Sequence, residues 1–366
     1  MEPHRPGQQP RGHLDRAALN RAAAVNPGAA ADAAGERLPL EEFAPPRWLR
    51  HQHLQSILPS LPLRRGPVER RAAGLVGASR EWLVDCGEGT RLLALLATQA
   101  SVGRGPPRGQ VVLHHGWEGS AESLYLLSVG QALFDAGFDV VRLNLRDHGP
   151  SHHLNEELFH SNRLPEVVGA VRAIQARAPD LPLSLVGFSL GGNFALRVGA
   201  RAAEAGLEIA RIVAVCPVLD PVATLAALER GPALYREYFL FKWRRSLRRK
   251  QAAWPGRYDF SALVGERSLT SMTARMVAEH TGYADLDSYL RGYAITGPVL
   301  EPLAAPSRLI TAADDPMIPA ADLARIARPP SLAVTVTRHG GHCGFLDRLG
   351  SPSWIDRQIL AEVAGR

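Results

Sequence analysis

The feature that most constrains the fold is an alternation of short apolar runs with helical patterns, which begins at Glu81. Gly and Pro bound the apolar runs, and several runs are apolar almost throughout, as strands covered on both faces are. Eight runs predict strands: WLVDC, RLLALLAT, QVVLHH, DVVRLNL, LSLVGF, IARIVAVC, SRLITAA and SLAVTVT. The alternation predicts an α/β fold with a mostly parallel central sheet and helices on both faces.

Two segments precede this pattern. Residues 1–36 are rich in Pro, Gly, Ala and Arg and predict a disordered N-terminal arm. Residues 37–80 mix prolines with large apolar side chains, so we expect an irregular lead-in that is packed on the core. The lead-in residues expected to be buried are Trp48, Leu49, Leu54 and Ile57.

Residues 81–366 are predicted to form an α/β domain of alternating strands and helices. The alternation breaks at about 220–306, where longer helical patterns predict an insertion over the sheet. A helical cap over a functional site is the functional interpretation of this insertion, and an extra pair of structural helices is the alternative. The insertion contains a basic run: Lys242, Arg244, Arg245, Arg248, Arg249 and Lys250. We interpret the run as solvated charge, and the alternative is a surface that contacts an anionic membrane or an anionic substrate.

Composition narrows the class of protein. Hydrophobic residues make up 46% and charged residues 21%, which is globular usage. The net charge of +6 does not by itself indicate nucleic acid as a partner. The three cysteines form no disulfide framework, and the N-terminal residues lack the apolar core of a secretory signal. We therefore expect a cytoplasmic location.

The string Gly187-Phe188-Ser189-Leu190-Gly191 lies where a predicted strand meets a predicted helix. A G-x-S-x-G string in this position is typical of a nucleophile elbow, in which small flanking residues permit a sharp turn that exposes the serine hydroxyl. The alternative is a glycine-rich turn without chemistry. We predict that Ser189 is a nucleophile and that the backbone N–H of Leu190 is one donor of an oxyanion hole.

The second oxyanion donor is expected after the strand QVVLHH, in His115-Gly116-Trp117-Glu118-Gly119. The backbone N–H of Trp117 is the candidate. Its indole and the side chain of His115 are predicted to line the substrate pocket, and ordinary core packing is the alternative for Trp117.

An acid and a base follow the nucleophile in the order that this type of site requires, each after a late strand. Asp315 follows SRLITAA and His342 follows SLAVTVT, in a glycine-rich loop. His342 is predicted to act as general base and Asp315 to orient the imidazole. The adjacent Asp314 competes for the acid role, because spacing alone does not separate neighbouring carboxylates.

No cofactor or metal is predicted. The histidines of RDHGPSHHLNEELFH match no known zinc-ligand spacing, and the chain contains neither a P-loop string nor a dinucleotide fingerprint.

Taken together, the motifs resemble the YheT-like (EMB8-like) branch of the α/β-hydrolase superfamily. The resemblance spans Phe43 to the C-terminus and rests on these strings: Pro46-Arg47-Trp48-Leu49, His53-Leu54-Gln55, His115-Gly116 with Glu118-Gly119-Ser120, His160-Ser161, Gly187 to Asn193, and Gly341-His342 with Gly344-Phe345. It implies the α/β-hydrolase fold and serine-hydrolase chemistry on ester-like substrates. One departure is Arg146-Asp147-His148-Gly149, where the branch more often has an Arg-Gly string.

Three functions follow as hypotheses. The first is hydrolysis of small-molecule or lipid esters through a Ser-His-Asp triad and an acyl-enzyme. The second is acyl transfer to an alcohol or amine by the same triad. The third is a non-catalytic binding or membrane-surface protein that retains the fold, with weak membrane contact through the basic helix Tyr235 to Lys250 and the basic N-terminal arm. The sequence leaves the oligomeric state, the natural substrate and the acyl-chain length open.

Overall fold

An eight-stranded sheet forms the centre of the computed structural model, which describes residues 42–365. The strands are β1 (Ser79–Asp85), β2 (Arg91–Ala97), β3 (Gln110–His114), β4 (Asp139–Leu143), β5 (Leu183–Phe188), β6 (Ile209–Val215), β7 (Ser307–Ala312) and β8 (Leu332–Thr337). Their order is β1-β2-β4-β3-β5-β6-β7-β8. The strand β2 pairs antiparallel with β1 and β4, and the remaining neighbours are parallel. Each predicted apolar run overlaps one strand, which confirms the predicted sheet.

Helices cover both faces of this sheet. They are α1 (Gln52–Ile57), α2 (Pro62–Arg71), α3 (Ala73–Ala78), α4 (Leu124–Asp135), α5 (Leu164–Arg177), α6 (Leu190–Ala200), α7 (Ala202–Ala205), α8 (Pro221–Arg230), α9 (Ala233–Ala253), α10 (Ser261–Gly265), α11 (Leu269–His280), α12 (Leu286–Arg291) and α13 (Trp354–Val363). In the part of the chain that the structure describes, none of these helices has both the length and the apolar character needed to cross a bilayer.

The apolar character of the central strands has a direct structural cause. Successive residues of β5 point to opposite faces of the sheet, so that Val186 packs with Leu133 of α4 and Ile359 of α13. The preceding residue, Leu185, packs in a separate core with Phe194 of α6. Burying one such side chain contributes roughly 1.5–3 kcal/mol, so a strand with two covered faces favours apolar residues on both of them.

The lead-in is helical, which corrects the expectation of an irregular segment for the part that the structure describes. A 3-10 turn at Arg47–Leu49 is followed by α1, α2 and α3. Two of the prolines, Pro59 and Pro62, occupy first turns, where proline removes no helical hydrogen bond, whereas Pro67 lies inside α2. Leu49 is fully buried as expected, but Ile57 is only half-buried, and Trp48 and Leu54 are exposed. The arm predicted over residues 1–36 lies outside the described residues.

The segment between β6 and β7 contains α8 to α12, so a helical insertion stands where the alternation of the sequence breaks. The basic run on α9 is not uniformly solvated, which corrects the interpretation of the run as surface charge. The Lys250 side chain is 1% exposed, and its Nζ lies 2.9 Å from Oδ1 of the buried Asp147 in the loop after β4. Arg244 donates to the backbone oxygens of Val264 and Glu266.

Candidate active site

Ser189 occupies a sharp turn between β5 and α6, at the carboxyl edge of the parallel strands. Its backbone has φ 53° and ψ −120°, a conformation that L-residues rarely adopt and that aims the side chain away from both elements. The turn depends on two glycines. A Cβ on Gly187 would lie 2.1 Å from the backbone oxygen of Gly191, and a Cβ on Gly191 would lie 2.4 Å from that of His114.

The structure brings the three predicted triad residues together. Nε2 of His342 lies 3.0 Å from Oγ of Ser189, and its Nδ1 lies 2.8 Å from Oδ2 of Asp315. The Asp315 side chain has no exposed surface. With Nδ1–H donating to the carboxylate, Nε2 is left to accept the hydroxyl proton of Ser189.

The two adjacent aspartates have different partners. The second carboxylate oxygen of Asp315 accepts hydrogen bonds from the backbone N–H groups of Met317 (2.8 Å) and Ile318 (3.0 Å). Asp314 instead accepts from the backbone N–H of Gly341 at 2.9 Å. Asp315 therefore holds the imidazole, whereas Asp314 holds the loop that carries it.

The environment of His342 determines its basicity. Burial alone would lower the pKa of the imidazole, but the Asp315 carboxylate and the Cys343 side chain act in the opposite direction. The net effect raises the pKa of His342 well above its ordinary value. A raised pKa makes the imidazole a stronger proton acceptor once it is neutral.

The lead-in contributes to this site, which sequence reasoning did not predict. Oγ of Ser56 accepts a hydrogen bond of 2.9 Å from the backbone N–H of His342. The buried side chain of Gln55 donates to the backbone oxygens of Leu49 and Leu346 and accepts from the N–H of Leu346. Helix α1 thus fixes the histidine loop from outside the sheet. The only sequence signal was the His53-Leu54-Gln55 string, whose structural role was unknown.

The loop after β3 lies against the nucleophile. A Cβ on Gly116 would lie 3.2 Å from Cβ of Ser189, and the Gly116 N–H donates to the hydroxyl of Tyr125. In contrast, the N–H groups of Trp117 and Leu190 donate to no residue within 42–365. Two backbone donors are therefore free beside Ser189, as an oxyanion hole requires.

His115 does not line the cavity, contrary to the sequence prediction, because it is fully buried behind the loop. Its Nδ1–H donates to the backbone oxygen of Gly116 at 2.7 Å, and its Nε2 accepts from the N–H of Leu145 at 3.1 Å. Burial lowers the pKa of His115 well below its ordinary value. His115 is therefore neutral, and its two hydrogen bonds hold the loop after β3 in position.

A cavity of about 1180 Å³ opens over Ser189 and His342. The Trp117 indole lines it, stacked on Phe239 with ring centroids 5.1 Å apart and edge-on to Trp243 at 5.3 Å. Both partners belong to α9. The insertion therefore supplies an aromatic wall of the cavity.

Charged groups occupy another part of the cavity wall. Lys242, Arg245 and Arg249 line it and make no ion pair or hydrogen bond with another described residue. Glu118 also lines the cavity, and burial raises the pKa of its carboxyl to about 8, with Lys242 opposing that effect.

Within residues 42–365, one group of side chains has the composition of a metal site, although sequence spacing had indicated none. It consists of Cys216, His342 and Cys343, whose ligand atoms lie within 4.8 Å of one another. Both ring nitrogens of His342 are already bonded to Asp315 and Ser189, so the imidazole is committed to the triad.

Comparison with known proteins agrees with this architecture. A model of the α/β hydrolase fold family matches residues 109–349. "Putative esterase YheT" of Escherichia coli is 27% identical over 330 residues, 87% of this chain and 92% of that protein. "Putative esterase slr0264" of Synechocystis is 25% identical over 269 residues, 65% of this chain and 71% of that protein.

Among solved structures, the Pyrococcus furiosus esterase Pf2001 superposes with a TM-score of 0.51 at 14% identity, over 78% of this chain and 92% of that one. This likeness concerns the fold. The match to the family model, with the two relatives, shows that the chain belongs to the α/β-hydrolase superfamily, in its YheT-like branch.

Proposed function

We propose that the protein is a serine hydrolase that cleaves carboxylic esters through Ser189, His342 and Asp315. The observation that carries this proposal is the pair of hydrogen bonds from His342, 3.0 Å to the Ser189 hydroxyl and 2.8 Å to the Asp315 carboxylate. The names of the two relatives as esterases support it.

In the first half-reaction, Oγ of Ser189 attacks the ester carbonyl carbon while Nε2 of His342 takes the hydroxyl proton. The carbonyl oxygen becomes an oxyanion that accepts hydrogen bonds from the N–H groups of Leu190 and Trp117. The C–O bond to the leaving alcohol breaks as His342 returns the proton to the alcohol, and an acyl-enzyme remains.

In the second half-reaction, His342 takes a proton from water as the water oxygen attacks the acyl carbon. The bond to Ser189 breaks, the proton returns to its Oγ, and the carboxylic acid leaves. Asp315 stays ionised and stabilises the imidazolium in both halves.

The cavity supports an ester with a sizeable apolar group. Its aromatic wall of Trp117, Phe239 and Trp243 fits an acyl chain or a lipid tail. Because two of these side chains come from α9, we propose that the insertion at 220–306 acts as a cap that shapes the acyl site.

The test uses a fluorophosphonate probe, which labels an activated serine without knowledge of the substrate. We expect labelling of the wild type and loss of labelling in Ser189→Ala, with hydrolysis of p-nitrophenyl esters reduced by at least about 10⁴-fold. Ser60→Ala is the matched control, because Ser60 lines the same cavity but makes no hydrogen bond to the triad. Equal labelling of wild type and Ser189→Ala would refute the proposal.

A further inference from the structure

Two cysteines that are distant in the sequence, Cys216 and Cys343, lie close together beside the candidate base His342. Cys216 directly follows β6, and Cys343 directly follows His342. The Cys343 backbone N–H donates to Sγ of Cys216 at 3.4 Å. The two sulfur atoms and a ring nitrogen of His342 lie within 4.8 Å of one another.

The two thiols differ in access. Cys343 lines the cavity over Ser189, whereas Cys216 is fully buried beneath it. A small solute that enters the cavity therefore reaches Cys343 first. Cys216, which the solute does not reach, can react only with an oxidised form of the Cys343 side chain.

The thiols also differ in ionisation. Burial opposes ionisation of the Cys343 thiol, but a hydrogen bond between its side chain and that of Cys216, together with the charge of His342, lowers its pKa to about 6. Burial raises the pKa of Cys216 well above its ordinary value, and it raises that of Cys86, the third cysteine, to about 12. Because the thiolate is the reactive form, Cys343 is the favoured site of oxidation.

The loop geometry allows the sulfur atoms to approach each other. A disulfide needs an S–S distance of about 2.0 Å, which requires Cys343 to move towards Cys216. Gly340 and Gly341 precede this residue with φ 150° and 53°, and Gly344 follows it. Glycine tolerates the change of backbone angles that such a movement requires.

We propose that Cys343 and Cys216 form a peroxide-sensitive dithiol site whose oxidation inactivates the adjacent triad. The Cys343 thiolate attacks the O–O bond of a hydroperoxide, which gives a sulfenic acid and, with one proton, releases the corresponding alcohol or water. The Cys216 thiol then attacks the sulfenic sulfur, a disulfide forms and water leaves. A thiol reductant returns two electrons and two protons.

Inactivation follows from adjacency in the chain. His342 and Cys343 share a peptide unit, so movement of Cys343 towards Cys216 displaces the imidazole from Ser189. A displacement of about 1 Å in such a constellation costs on the order of 10²-fold in rate. This activity readout rests on the proposed ester hydrolysis, whereas the thiol chemistry does not.

The experiment treats the reduced, chelator-exchanged full-length protein with hydrogen peroxide and follows intact mass, peptide mapping and ester hydrolysis. We expect loss of the mass of two hydrogen atoms, a Cys216–Cys343 cross-linked peptide, and at least about a tenfold loss of activity that dithiothreitol reverses. Cys86→Ala is the control and should behave as the wild type does.

Two variants test the order of events, each compared with its own reduced state. Cys343→Ser should resist peroxide. Cys216→Ser should accumulate oxygen atoms on Cys343 and lose activity that dithiothreitol no longer fully restores. The proposal would be overturned if all thiols remained after peroxide treatment or if the disulfide involved Cys86. It would also be overturned if a chelator, and not a reductant, restored activity. Absence of ester hydrolysis in the reduced wild type would instead refute the proposed function, because the mass readout is independent of it.

Discussion

Asp315→Asn is the substitution that tests the proposed triad most directly. The carboxylate has two roles at its two oxygens. Oδ2 accepts from Nδ1 of His342 at 2.8 Å, and Oδ1 accepts from the N–H groups of Met317 and Ile318. An asparagine amide has one acceptor and one donor end. The two backbone donors will hold the amide oxygen, so that the NH₂ group faces Nδ1.

The size of the expected loss of kcat follows from the tautomer that the substitution imposes on His342. With an NH₂ group opposite it, Nδ1 of His342 must accept, and the ring proton moves to Nε2. Nε2–H then faces Ser189 and does not accept the hydroxyl proton. The corresponding substitution in serine proteases lowers kcat by about 10⁴-fold, which is about 5.4 kcal/mol of activation free energy. We expect a similar loss here with the fold retained.

Asp314→Asn is the matched control. Oδ1 of Asp314 accepts from the backbone N–H of Gly341, and Oδ2 lies 3.6 Å from Nδ1 of His339. In Asp314→Asn an amide oxygen can replace Oδ1 as the acceptor. The assay is kcat for a p-nitrophenyl ester at alkaline pH, with urea unfolding of each variant. If Asp315→Asn kept more than a tenth of the wild-type kcat, or if Asp314→Asn lost more activity, the assignment of the acid would be wrong.

Three further predictions concern the environment of the site. Because the pKa of His342 is raised and catalysis needs the neutral imidazole, kcat/KM should fall as the pH falls through a value above about 6.5, and a pH profile with its midpoint below that value would contradict the raised pKa. Gln55→Ala should lower the free energy of unfolding by about 3 kcal/mol in urea, because it leaves buried backbone groups of Leu49 and Leu346 without a partner. Lys250→Met should lower it by about 3–5 kcal/mol, because it leaves the buried carboxylate of Asp147 unpaired. Unfolding free energies within about 1 kcal/mol of the wild type would contradict the last two.

Local patterns were sufficient for the sheet and the elbow. The central strands are covered on both faces, so their apolar runs stood out in the sequence, and the strained turn at Ser189 needs glycines at fixed offsets. The order of Ser189, Asp315 and His342 also followed from the order of strands. These features depend on residues close together in the chain, which is the information that a single sequence contains.

Features that depend on distant contacts were missed or left open. Asp314 and Asp315 differ only in which backbone N–H groups each carboxylate meets. Lys250 lies in a basic run, but its burial depends on a carboxylate contributed by the loop after β4. The pairing of Cys216 with Cys343 connects two segments that are 127 positions apart. The hydrophobic periodicity of the sequence contains no signal of any of these contacts.

The lead-in shows why a segment outside the sheet belongs to the site. The histidine loop is rich in glycine, so its own backbone provides little restriction, and its position must come from contacts with other segments. Asp314 holds one side of the loop through the Gly341 N–H, and Ser56 holds the other through the His342 N–H. Gln55 fixes the next turn by bonding Leu346 at both its N–H and its carbonyl oxygen. The 3.0 Å contact between His342 and Ser189 is therefore maintained by α1 on one side of the loop and by Asp314 on the other, so loss of α1 should weaken the site.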